Sequence, residues 1–229
     1  MCALSIGKRG GLLVLTAAIS GLMVFMGIWQ LSRADEKRVL LEQWQQRSGI
    51  RLELKEAMTM EQPFGYELQA SGVFLAGGEL FLDNQIENGR PGYRRIMPLQ
   101  TALGLLAVDT GWWPASADRG QLPVTPALDD GPVQLSGVLV RPWQPPLSFG
   151  NEPNTDSRRV VSLAPELLAA HWGQPVLPMV LKTDMNAGQW QPVVMGPEKH
   201  LGYAVQWFAM TAAIWLAAIW WYRRPYDET

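Results

Sequence analysis

The chain has 229 residues, a formal net charge of -2 and only 17% charged residues. That balance argues against nucleic-acid binding, because no run of Lys and Arg interleaved with aromatic rings forms a basic face. The one cysteine, Cys2, excludes an internal disulfide and a cysteine-built metal site, while the low charge and 11 Trp point toward lipid.

Residues 1–9 form a short tail ending in Lys8 and Arg9. Residues 10–31 (GGLLVLTAAISGLMVFMGIWQL) then carry no charge, and neither do residues 201–222 (LGYAVQWFAMTAAIWLAAIWWY) near the other end. About 22 residues of helix span about 33 Å, enough to cross a hydrocarbon core of about 30 Å. A helix is the open-ended element that satisfies its own backbone in lipid. A cleaved signal peptide is the alternative for the first segment. It would have an apolar core of about 7–15 residues and an Ala-x-Ala-like site. Instead Arg33 and Asp35-Glu36-Lys37-Arg38 follow, and the helical pattern runs on through residues 32–48, with Leu40 and Trp44 four apart. Ser48-Gly49 is the expected stop.

Lys8 and Arg9 precede the first span, and Arg223 and Arg224 follow the second. Positive residues in short flanks favour the cytoplasmic side. Between the spans, Arg33 to Lys199 hold 15 Lys and Arg against 19 Asp and Glu, a net of -4. The expectation is therefore a multi-pass membrane protein, in a bacterial host one of the inner membrane. Both tails (1–9 and 223–229) lie in the cytoplasm and residues 49–199 form a periplasmic domain. Trp29, Tyr203, Trp207 and Phe208 fall at the outer boundary, and Trp220, Trp221 and Tyr222 at the inner one, where aromatic rings prefer to sit.

In the central region the rhythm changes to short apolar runs broken by Gly, Pro, Asn and Asp. Strands are expected at 66–75, 79–84, 93–100, 104–109, 133–141, 159–163 and 177–183, with a weaker one at 190–195. Ala76-Gly77-Gly78 and the NGRPG run at 88–92 read as turns, and Asp129-Asp130 beside Gly131 as another. One helix, 164–172, has Pro165 in its first turn and Gly173 at its stop. The fold class expected is two transmembrane α-helices flanking a mostly antiparallel β (α+β) extracytoplasmic domain, a sandwich or a barrel.

Little catalytic material is present. The chain has two histidines, His171 and His200, and no HExxH, CxxC, Walker loop or strand-linked GxGxxG. His171 reads as a surface or half-buried helix residue. His200 opens the second span, and on a helix it shares a face with Tyr203, Ala204 and Trp207. Trp29 and Arg33, with Gln30 beside them, occupy the matching end of the first span. An imidazole with flat aromatic walls and cations for carboxylates is what a haem needs: His200 for the iron, Arg33 and Lys199 for the propionates. The residues alone equally allow an interfacial histidine with nothing bound.

Three stretches carry a resemblance that covers nearly the whole chain. The first span ends GIWQLSRADEK, similar to Gly-x-Trp-Gln-Leu-x-Arg-x-x-x-Lys, with Gly27, Trp29, Gln30, Leu31, Arg33 and Lys37 in place. The middle carries Gly92, Tyr93, Pro98 and Leu99, then an apolar strand closing on Gly111, Trp112 and Pro114. The second span opens HLGYAVQWF, similar to His-x-x-Tyr-Ala-x-x-Trp-Phe. In order and spacing these resemble the Surfeit locus protein 1 family, assembly factors of cytochrome c oxidase. Two positions depart from the pattern: Thr110 replaces an Arg before the Gly-Trp, and Lys199 an Asn before the histidine.

The resemblance implies a non-enzymatic protein that helps place or stabilise haem a in the oxidase's largest subunit, subunit I, with haem a synthase a further partner. It ties haem a to the second-span histidine, here His200. Tyr203 and Trp207 as walls, and Trp29 and Arg33 as the facing group, come from the residues themselves. The alternative is a membrane-anchored scaffold that docks oxidase subunits without touching cofactor. A periplasmic hydrolase is the third and weakest reading.

Overall fold

A computed structural model describes residues 2–118, 120–128, 131–145, 158–184, 192–193 and 195–224, with side chains from residue 10 onward. The expected turn at Asp129-Asp130 lies outside these residues, as do 190, 191 and 194 of the strand expected at 190–195; the described 192, 193 and 195 are not in a strand. The chain divides into two compact units, Met1–Gln43 with Pro192–Thr229, and Trp44–Gln191.

The first unit is built from two long helices. Helix α1 runs Cys2–Arg47 without a break, a length of about 70 Å at 1.5 Å per residue. Its residues include no proline. It ends where expected: the Ser48 N–H reaches the Trp44 carbonyl at 2.8 Å and Gly49 turns the backbone at φ 93°. Helix α4 (Pro197–Arg223) starts with Pro at its first position, where the missing N–H costs nothing. Both helices are long and apolar enough to cross a membrane.

The second unit is a sheet that closes on itself. Its strands are β1 (Arg51–Glu53), β2 (Glu67–Phe74), β3 (Leu80–Glu87), β4 (Arg90–Thr101), β5 (Gly104–Pro114), β6 (Pro132–Val140), β7 (Arg159–Val160) and β8 (Val176–Lys182). They lie in the order β1-β2-β6-β8-β5-β4-β3-β7. A further pairing of β2 with β4, Val73 opposite Gln100 and Phe74 opposite Leu99, joins β2, β6, β8, β5 and β4 into a five-stranded ring. The expectation of a barrel or sandwich thus resolves as a barrel. Gly72 sits at the closure. A Cβ there would lie 2.4 Å from the Gln100 carbonyl oxygen, so only glycine lets the two strands meet.

Among the described residues antiparallel pairings predominate, with three parallel ones: β1–β2, β3–β7 and β5–β8. Alternation along each strand feeds two cores. Leu68, Ala70, Leu99, Leu106, Val108, Leu139, Met179 and Leu181, from all five ring strands, meet inside the barrel. On the other face Ile96, Ala107 and Val180 pack with Leu80, Leu82 and Val160, and with Leu168 of α3 (Pro165–Trp172). Each such leucine withdrawn from water contributes about 1.5–3 kcal/mol. Helix α3 ends at Gly173, in the left-handed region at φ 68°, as its sequence signals.

Three details differ from the sequence reading. The segment 51–59 holds β1 and a one-and-a-half-turn helix α2 (Leu54–Thr59), neither of which was expected. Only Asn88 and Gly89 of the NGRPG run form the turn, both at positive φ. Residues 90–92 continue the hairpin as the start of β4, as a two-residue Asn-Gly turn allows. The strand expected at 159–163 is only two residues long.

Candidate functional site

The two long helices run antiparallel within their unit and meet along a stripe spaced by three and four residues. On α1 the buried positions are Thr16, Ser20, Gly27 and Ala34, with Met23 and Gln30 half-buried between them. On α4, Ala204 and Ala218 are buried, with His200, Trp207, Thr211 and Ile214 half-buried. Such a stripe is the mark of two helices wound along each other. Small residues recur on it, as they do where helices approach in lipid. Gly27 faces the ring of Phe208, whose Cε1 would be 2.6 Å from a Cβ at that position.

At one end of this stripe His200 Nδ1 lies 2.8 Å from Gln30 Oε1. A carbonyl oxygen only accepts, so the imidazole Nδ1–H donates. Nε2 is left without a protein partner among the described residues, on a residue that is half-buried. Of the face expected from sequence, His200, Ala204 and Trp207 lie on the stripe. Tyr203 lies off it, 47% exposed. Trp29 is 41% exposed. The Arg33 guanidinium lies over the Trp29 ring at 5.5 Å and pairs with Glu36 Oε2 at 2.5 Å, both on its own helix. Lys199 is exposed. The structure therefore brings Gln30, rather than Trp29 or Arg33, to His200. Holding a planar macrocycle between the helices would require parting Gly27 from Phe208. The one imidazole nitrogen these residues would offer a haem iron is His200 Nε2.

A second polar cluster lies in the barrel unit and had no counterpart in the sequence reading. Asp109 at the end of an apolar strand, LLAVD, and Lys182 ending VLPMVLK were its faint signals. Asp109 Oδ2 accepts from Arg94 Nε, and from Lys182 Nζ at 3.1 Å, while Asp109 Oδ1 accepts the Gly111 N–H at 3.1 Å. Arg94 also pairs with Asp184, whose other oxygen lies 3.6 Å from Lys182 Nζ. Burial alone would push the Arg94 guanidinium down. The charge and hydrogen bond of Asp109, then those of Asp184, outweigh it and hold the group above its ordinary value. His171, by contrast, is exposed on α3. Thr110, at a position where the sequence departs from the resemblance, donates from Oγ1 to the Arg95 carbonyl at 3.3 Å.

Residues 17–212 match the model of the SURF1 family, a stretch that includes both Gln30 and His200. The chain belongs to that family, whose members are known generally as oxidase assembly factors rather than as a class of enzymes. It is also similar to a SURF1-like protein of Rickettsia felis, 26% identical over 126 residues. That match spans about half of each protein, 52% of this chain and 52% of the relative.

Proposed function

We propose that this protein assists assembly of a haem-copper cytochrome c oxidase in a bacterial inner membrane by steadying haem a on its way into subunit I. Haem a synthase is the natural donor. Both tails lie in the cytoplasm and the barrel in the periplasm, a topology supported by Lys8, Arg9, Arg223 and Arg224 flanking two apolar helices.

The observation that carries this reading is the half-buried His200, with one nitrogen engaged by Gln30 and the other without a protein partner among the described residues. When bound, the haem supplies an iron centre that takes an axial imidazole. The chain's own residues would orient that imidazole and offer the aromatic surface of Tyr203 and Trp207 beside it. Arg33 and Lys199 are the cations nearest in sequence for the propionates. Arg33 would have to leave Glu36 or share it.

The test is the absorption spectrum of the detergent-purified full chain titrated with haem a. A Soret band that saturates, and that falls by about 10-fold or more in apparent affinity in His200→Ala, supports the reading. A His200→Ala spectrum that matches the wild type defeats it.

The close contact of Gly27 with Phe208 favours a second reading, a docking scaffold that never holds cofactor. In that case His200→Ala leaves oxidase activity intact. Changes at the exposed β3–β4 hairpin, where Ile86 is 76% exposed, reduce co-purification with oxidase subunits instead.

A further inference from the structure

From the 2.8 Å contact between Gln30 and His200, we infer that Gln30 is a positioning residue that fixes the tautomer and ring plane of His200. The inference rests on reading His200 as the haem ligand. An imidazole binds iron through a nitrogen carrying a lone pair, and the two ring nitrogens compete for one proton. Free imidazoles in water favour the proton on Nε2, which is the wrong nitrogen for a ligand whose Nδ1 side is turned to the protein. An acceptor at Nδ1 reverses that preference. Gln30 Oε1 is such an acceptor, and it comes from the neighbouring helix, so the tautomer depends on the helices staying in register. Metal-binding histidines commonly have this kind of support, from a carboxylate or a carbonyl on the second nitrogen.

The amide suits the place. A carboxylate there would be a charge at the end of an apolar seam, whereas a neutral amide oxygen meets the N–H without an unpaired ion. Gln30 is half-buried between Gly27 and Ala34, both buried, so its side chain has little freedom to turn away.

The chain contains two imidazoles, so His171→Asn leaves His200 as the sole histidine signal. In the haem-free, 15N-histidine-labelled full chain in detergent at pH ~8.5, where imidazole is neutral, long-range 1H–15N spectra report the tautomer. The expected result is protonation at Nδ1 in the Gln30-containing chain and predominantly at Nε2 in Gln30→Leu, a substitution of similar size that keeps the seam apolar. In parallel, haem a titration should show Gln30→Leu weakened by about 10-fold or more. Gln30→Glu, which restores an acceptor, should recover the Nδ1–H form and much of the affinity, with a lower reduction potential for the bound haem. An Nε2–H form in the parent chain, or an unchanged tautomer in Gln30→Leu, overturns the inference. If the tautomer switches as expected but the parent shows no Soret band, the haem reading fails while the role of Gln30 in setting the ring stands.

Discussion

Arg94 of β4, Asp109 in the middle of β5, Lys182 at the end of β8 and Asp184 just beyond it face one another, and each charge meets an opposite one. At one end of the helix seam, His200 and Gln30 share a hydrogen bond, and among the described residues one ring nitrogen is left over. Asp109 and Lys182 are buried in the barrel, and His200 and Gln30 are half-buried on the seam. In the barrel the partners saturate one another, so the cluster has little capacity left for a ligand, and its effect is on the fold. In the helix pair the satisfaction is half complete, and the remainder is chemically competent. The contrast shows where to look for function in a protein with two histidines: at the polar residue whose partners stop one short.

The largest effect should come from breaking the saturated cluster. Asp109→Ala leaves Arg94 and Lys182 facing each other, with the more exposed Asp184 between them and Glu87 3.8 Å from Arg94. Removing one partner of a buried pair costs about 3–5 kcal/mol. Urea unfolding of the full chain in detergent, followed by tryptophan fluorescence, should show the loss. A change below about 1 kcal/mol would mean the cluster is wetter than its burial implies, and the contrast with the helix pair would collapse. The pH dependence has a definite sign. The Arg94 value in the folded chain lies above its unfolded one. Its contribution is therefore complete at every pH below the unfolded value and fades only as strong alkali passes the folded one. Arg94 itself adds no slope to stability in the neutral range.

Much of this architecture is legible in the residues because the signals are local. The charge-free runs give both spans, Pro165 and Gly173 give α3, and Asn88-Gly89 gives the β3–β4 turn. What the residues do not carry is which distant pieces meet. The parallel β5–β8 pairing and the closure of β2 on β4 join segments far apart in the chain, and Gly72 reads as an ordinary glycine until Gln100 is beside it. Strand β1 is three residues long and exists through its pairing with β2. The same limit applies at the site. Helical spacing puts Tyr203 on a face with His200, but the partner helix meets the 200, 204, 207 edge and leaves Tyr203 outside. Gln30 carries no mark that separates it from Trp29 or Arg33, because the register of two helices is not written in either one. The ionic cluster is hidden for a related reason: Arg94, Asp109 and Lys182 each read as the polar end of a strand.

A middle-sized effect tests how closely the seam must fit for His200 to meet Gln30. Gly27→Leu adds a side chain where even a Cβ would lie 2.6 Å from the Phe208 ring. Overpacking of this kind costs about 1–3 kcal/mol, less than Asp109→Ala because an aromatic side chain can swing aside. It should also lengthen the Gln30–His200 contact and raise the Nε2–H fraction in the tautomer experiment. Phe208→Ala in the same chain should recover part of both. If Gly27→Leu shifts stability but not the tautomer, the polar pair is held by something other than the close seam.

The smallest effect belongs to a residue that superficially resembles the others. Ser20 lies on the same stripe of α1, 5% exposed, and its Oγ has no hydrogen-bond partner among the described residues. A buried hydroxyl without a partner is a cost, and deleting it removes that cost together with very little volume. Ser20→Ala should therefore change stability by about 0.5 kcal/mol or less, toward the more stable side, and leave haem titration untouched. The comparison with Asp109→Ala is the point. Burial is nearly equal at the two positions, so any difference between them arises from partners rather than from depth. A loss of 2 kcal/mol or so at Ser20 would require an acceptor for its hydroxyl on the facing helix. The seam would then be polar along its length, and the His200–Gln30 pair would lose its claim to be the special place on it.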